Sequence, residues 1–207
     1  MLGLLGKKIG MTRIFDEVGD SIPVTVVEAG PCTVIQKKTV GKEGYDAIQV
    51  GFGQKKDKHV NKPMAGHFKK AGKGNFAHLA EFKPIKPEEW EVGKVLDTNL
   101  FKKGDIIQVS GLTKGRGFQG VIKRHGHHGG PAAHGSKFHR TTGSIGMNTD
   151  PHRVLPGRPM PGHMGDEKIT TKNLKIVEID TEKNLLFIRG AVPGANSGLV
   201  VISTRAM

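Results

Sequence analysis

Between Thr113 and Gly165 the chain loses regular hydrophobic spacing, and this interruption constrains its fold more than any other feature. The stretch holds twelve glycines, seven histidines and eight lysines or arginines against one acid, Asp150. Its larger apolar residues, Phe118, Val121, Ile122, Phe138, Ile145, Val154 and Leu155, are too sparse to close a core of their own. Fixing a backbone costs about 1–2 kcal/mol per residue, and glycine costs more. Irregular connections longer than ~12–15 residues are usually functional or disordered. The expectation is a basic Gly/His-rich extension, residues 113–165, whose stabilisation comes from a partner.

Both flanks read as β structure. Lys8 to Phe15, Ile22 to Val27, Thr33 to Gln36 and Ala47 to Val50 are short runs rich in β-branched residues. Gly41-Lys42-Glu43-Gly44 supplies a hairpin turn between the third and fourth. Residues 59–75 change character: Pro63 near the start and Gly72 past the end delimit a short helix with a positive exposed side. Strand character returns at Trp90 to Val95 and at Ile106 to Val109, the latter after the turn Lys102-Lys103-Gly104-Asp105. Beyond Glu167, Leu174 to Ile179, Leu185 to Ile188 and Leu199 to Ile202 are further strands. Short strands at this spacing favour a sandwich or barrel, so residues 1–112 and 166–207 are expected to form one β-barrel body that the last strands complete.

The net charge of +13 calls for a polyanion, most commonly nucleic acid. Lys114, Arg116, Lys123, Arg124, Lys137, Arg140, Arg153 and Arg158 suit phosphates, and the glycines between them let the backbone approach closely. His125, His127, His128, His134, His139, His152 and His163 can donate to phosphate or the 2′-hydroxyl and stack on bases. A flexible tail binding nonspecifically is the plainer alternative, but lysine would then outweigh this mixture of Arg, His and Gly. No apolar run reaches the ~18–20 residues of a membrane span. The N-terminal Met1 to Lys8 carries too short an apolar run for an export signal. The single Cys32 excludes an internal disulfide framework, suits a reducing cytoplasm and reads as a buried structural thiol.

Two enzyme readings compete. Gly115-Arg116-Gly117-Phe118-Gln119-Gly120 satisfies G-x-G-x-x-G after a strand, but Gly126 interrupts the next segment before a helix is established, and no acid lies about twenty residues on. His125, His127, His128, His134 and His139 match no compact zinc spacing, and Cys32 is distant in sequence. No Ser or Cys nucleophile has a recognisable setting, and the acids at 16, 17, 20, 88, 89, 166 and 167 look like turn or solvated-face residues. The expectation is therefore no catalytic site, cofactor, metal or small-molecule substrate. An enzyme acting on nucleic acid or a nucleotide through the glycine turn and histidine cluster is the alternative.

Several segments resemble the bacterial large-subunit ribosomal protein three family. They are Gly6-Lys7-Lys8-Ile9-Gly10-Met11-Thr12, Lys62-Pro63 with Gly66-His67-Phe68-Lys69-Lys70-Ala71-Gly72, Thr113 to Arg124, Gly143-Ser144-Ile145-Gly146, Gly162-His163-Met164-Gly165 and Gly190-Ala191-Val192-Pro193-Gly194. The resemblance spans essentially the whole chain. It implies a translation-protein-type β-barrel with a short helical insertion and a long irregular extension that penetrates RNA. It also implies a cytoplasmic ribosomal location, with 23S ribosomal RNA and neighbouring large-subunit proteins as partners. Early binding near the 3′ end of that RNA would nucleate subunit assembly, while the extension supports RNA around the peptidyl transferase centre. By the same resemblance Lys7, Lys8, Lys69, Lys70, Ser144, Met147 and Asn148 join the RNA-binding residues, Lys114 to Arg124 form the root of the extension, and Gly143 to Arg153 lie at or near its tip. Met147 stands where many members carry a methylated glutamine, so a contact made there must differ, because a thioether lacks the amide's donors. Gln108 stands where the family pattern has an acid.

Overall fold

The structure is a computed structural model that describes residues 3–83 and 90–204. Glu88 and Glu89 lie outside that range, as do Met1 and Leu2 of the N-terminal reading. The chain divides into two compact units, one formed by residues 1–112 and 168–207 and the other by Thr113–Glu167.

The first unit contains a closed six-stranded barrel. Its strands are β1 (Gly3–Phe15), β2 (Ser21–Ala29), β7 (Ile106–Leu112), β10 (Lys168–Asp180), β11 (Leu185–Arg189) and β12 (Leu199–Thr204). Their order around the barrel is β1-β12-β7-β10-β11-β2, and every neighbouring pair is antiparallel. The expected closure is made by β12, whose Ile202 lies opposite Leu4 of β1 and opposite Val109 of β7. Closure leaves no open edge in this sheet. Alternation places Ile107 and Val109, Leu186 and Ile188, and Val200 and Ile202 in the core, all fully buried. Each such side chain contributes about 1.5–3 kcal/mol on leaving water.

A second sheet has the order β5-β4-β3-β6, built from β3 (Cys32–Lys38), β4 (Ala47–Gln54), β5 (Phe76–Phe82) and β6 (Val95–Leu96). It shares one hydrophobic core with the barrel, joining Val34, Ile48 and Val50 to Leu4, Leu5 and Ile202. Consecutive residues Leu4 and Leu5 are both buried, so this end of β1 is covered on both faces. The Cys32 thiol is buried here and donates to the Leu5 carbonyl at 3.5 Å. Burial pushes its pKa up to about 11, against a smaller opposing effect of that backbone contact.

The expected hairpin between the third and fourth strands is present as β3–β4, and its connection is a one-turn helix, α1 (Val40–Glu43), ended by Gly44 at φ 82°. Two other sequence expectations change in this unit. The strand expected from Trp90 to Val95 shrinks to Val95–Leu96, preceded by a turn with Gly93 at φ 92°. Strand β5, overlooked in the sequence, pairs along most of β4. The helix between 59 and 75 is present as α2 (Lys62–Ala71), with Pro63 in its first turn and Gly72 at φ 64° capping its end. There the Gly72 amide donates to the carbonyls of Phe68 and Lys69 at 3.1 and 3.2 Å.

Candidate nucleic-acid interface

The second unit leaves the barrel at the end of β7 and returns at the start of β10, strands that pair directly. At its two ends the Thr113 amide donates to the Glu167 carbonyl at 2.9 Å, and the Glu167 amide donates to Thr113 Oγ1 at 3.2 Å. The root is more regular than the sequence suggests. β8 (Gly117–Gln119) and β9 (Gly162–Met164) form an antiparallel ribbon, and α3 (Val121–His125) comes next in the chain after β8, before Gly126 ends it at φ 71°. The helix does establish itself after the glycine-rich run, though for only five residues. Its antiparallel ribbon setting is not the parallel β-α-β unit that a dinucleotide turn requires.

Throughout Thr113–Glu167 only Val121 is buried. Phe118, Phe138, Ile145, Met147, Val154 and Leu155 are all exposed, Phe118 at 76% and Met147 at 65%. One buried valine returns about as much free energy as fixing one or two residues costs. Polar contacts instead set local shape. Arg124 Nη1 donates to the Met160 carbonyl at 2.7 Å, and His125 Nε2 lies 3.1 Å from the same oxygen. The Gly130 amide donates to the His139 carbonyl at 2.8 Å, and His139 Nδ1 lies 3.1 Å from the Pro131 carbonyl. Ser144 Oγ donates to Gly146, and Arg158 Nη2 donates to Ser144.

These contacts leave a charged outer surface. Lys114, Arg116, Lys123, His125, His128, Lys137, His139, Arg140, Ser144, Met147, Asn148, Arg153 and Arg158 are exposed, while Arg124 and His127 are half-buried. Ser144, Ile145, Gly146, Met147, Arg153, Leu155 and Arg158 enclose a cavity of about 270 Å³, so the carried-over tip residues Ser144 and Met147 share one recess with two guanidinium-bearing residues. In the other unit, Lys7 on β1 and Lys69 and Lys70 in the last turn of α2 are exposed.

Lys8 departs from the RNA-facing expectation. It is buried, and its ammonium donates to the carbonyls of Val192 at 2.8 Å and Gly194 at 3.3 Å. A long stem lets the charged head reach these oxygens, so Lys8 is engaged by the connection between β11 and β12. Gln108 is likewise engaged, donating to Ser203 Oγ at 3.1 Å across β7 and β12.

Phe118 was not among the expected RNA-contacting residues, yet its ring is exposed and free to stack; an aromatic among glycines, with no apolar periodicity to bury it, was the available signal. His125 and His127 have ring centroids 6.1 Å apart, but no group of three or more His, Cys, Asp or Glu is arranged to hold a metal among the described residues. The surface can therefore offer cations, imidazoles, the exposed rings of Phe118 and Phe138 and glycine backbone to a polyanion.

The family model described as Ribosomal protein L3 matches residues 75–186, a span that includes the whole second unit. The Large ribosomal subunit protein uL3 of Thermotoga petrophila is 54% identical over 200 residues, covering 96% of this chain and 95% of the relative. The protein of the same name from Thermotoga maritima gives the same figures. That of Pelotomaculum thermopropionicum is 53% identical over 204 residues, covering 99% and 97%.

Proposed function

Since the chain belongs to the ribosomal protein L3 family, we propose that it is a non-enzymatic structural constituent of the bacterial large ribosomal subunit that binds 23S ribosomal RNA through the Thr113–Glu167 insertion. On this reading it binds early, near the 3′ end of that RNA, and nucleates assembly. The insertion then supports RNA around the peptidyl transferase centre while neighbouring large-subunit proteins pack on the body. The observation that carries the reading is the insertion's composition of surface: one buried residue, Val121, beneath an array of cations, imidazoles and exposed apolar side chains. A protein segment that covers so little of its own apolar area gains its rigidity from what it binds. RNA supplies both phosphates for the cations and base faces for Phe118, the histidines and the guanidinium groups.

Arg124 and Met160 approach within hydrogen-bond distance near the root of the insertion, so a short linker can replace the chain that joins them. Replacing residues 125–160 by a short Gly-Ser linker should leave the barrel folded by circular dichroism. Affinity for a fragment of 23S RNA should fall by at least tenfold, with loss of the protein's footprint. Unchanged affinity and footprint would overturn the role given to the insertion.

A further inference from the structure

The β1–β2 hairpin breaks the basic character of the chain. From Ile14 to Gln36 there are four acids, Asp16, Glu17, Asp20 and Glu28, and no lysine, arginine or histidine, in a sequence that holds 32 lysines and arginines. Asp16, Glu17 and Asp20 lie in the turn between the strands, where the Gly19 amide donates to the Asp16 carbonyl at 2.8 Å and Gly19 sits at φ 92°. These acids are exposed, and among the described residues none is paired with a cation. The two strands pair with each other as far as Phe15 and Ser21, whereas β12 follows β1 only to Lys7 and β11 follows β2 only to Val24. A two-stranded ribbon is marginal in water unless a face of it is covered. One face is: Thr12 lies opposite Val24 and Ile14 opposite Ile22, with Val24 fully buried and both isoleucines half-buried. Alternation puts Met11, Arg13 and Phe15 on the other face, with Pro23 opposite Arg13 and Ser21 opposite Phe15. All of these are exposed, Met11 at 55% and Phe15 at 63%, and Val18 in the turn is 87% exposed. The Arg13 guanidinium lies 5.9 Å from the centroid of the Phe15 ring, so it is drawn onto its own neighbour.

We propose that the bare face and acidic turn of this hairpin are a docking surface for a basic segment of a neighbouring large-subunit protein. The segment lays apolar side chains on Met11 and Phe15 and sets lysines or arginines against Asp16, Glu17 and Asp20. This rests on the reading of the chain as a large-subunit constituent and gives one of its protein contacts a place and a chemistry. RNA is a poor occupant, because carboxylates with no cation beside them repel phosphates. A second copy is also poor, because a symmetric pairing of this patch would bring the same acids together. A basic protein satisfies both halves of the surface. Methionine and aromatic side chains are enriched where protein interfaces exclude water, and opposite charges around them select the partner and fix its register.

The test uses the full chain, with the photo-crosslinking residue p-benzoylphenylalanine in place of Val18, assembled into large subunits. Irradiation should join it to a second ribosomal protein, through a peptide rich in lysine or arginine. Neutralising the turn with Asp16→Asn, Glu17→Gln and Asp20→Asn should cut that product by about tenfold, and Met11→Ser with Phe15→Ser should do the same. Every substituted side chain is exposed, so circular dichroism should show both variants folded, and neither should lose affinity for a 23S RNA fragment. Products joined to RNA, to a second copy of the chain or to a peptide without an excess of basic residues overturn the proposal. So does a product that survives both sets of substitutions, or the absence of any product from subunits that contain the chain. A chain that never enters large subunits removes the proposed function and this surface with it, whereas one that enters and is joined elsewhere removes the surface alone.

Discussion

Cys32 and Lys8 both lie in the interior, yet they are held there by opposite means. Lys8 keeps a polar head and satisfies it with two carbonyls, while Cys32 behaves as a small apolar group whose thiol makes one weak contact. The thiol's pKa has a thermodynamic consequence. It rises from an ordinary 9.0 to about 11 because burial disfavours the thiolate. Above pH 9 the unfolded chain ionises at this position and the folded chain does not, so the unfolded state binds fewer protons and stability falls with pH. The contribution is fully present below pH 9 and is lost as pH rises through 11. Urea unfolding at pH 8 and pH 11 should show a steeper loss in the wild type than in Cys32→Ala, by up to about 2–3 kcal/mol. Equal losses would mean that Cys32 reaches solvent in the folded protein. At neutral pH, iodoacetamide should label it only after unfolding.

At the level of elements, legibility followed periodicity. The barrel strands and α2 could be read because β-branched alternation and the Pro63 and Gly72 signals are local and specific. Strand β5 escaped because Phe76-Ala77-His78-Leu79-Ala80-Glu81-Phe82 has few β-branched residues and is held by its register along β4. The β8–β9 ribbon escaped for another reason: its two strands are three residues each and are separated by more than forty residues of chain. The exposed cations of the insertion followed from composition, but Lys8 could be placed only once β1 had a face. Backbone proximity, rather than side-chain pattern, specifies the ribbon. The Arg116 amide donates to Met164 at 2.8 Å, and Gly165 sits at φ 77° where a Cβ would strike the Lys114 carbonyl. Gly165→Ala combines positive-φ strain with a collision against rigid backbone. It should remove hydrogen-exchange protection at the Arg116 amide and lower RNA affinity several-fold, with thermal unfolding of the barrel unchanged. Retained protection at Arg116 would show that the root is set by something other than this approach.

Across the whole molecule, buried apolar area is shared very unequally between two stretches of one chain. The barrel and its companion sheet contain the fully buried aliphatic residues, whereas the inserted unit contains one buried valine. Cooperative unfolding depends on shared buried contacts, so the barrel can unfold as a unit without reporting on the insertion. Amides of β7, β10 and β12, paired and closed on both sides, should exchange only through global opening. Amides between Gly126 and Gly157 should exchange far faster in the free protein, by on the order of a thousandfold or more, since their opening costs little buried area. Binding to 23S RNA should slow those same amides while leaving the barrel strands nearly unchanged. That contrast separates a segment organised by its partner from one merely resting against it, because a rigid insertion would be protected in the free protein and would gain little on binding. Protection equal to the barrel's in the absence of RNA would break the link between sparse burial and RNA dependence on which the assignment rests.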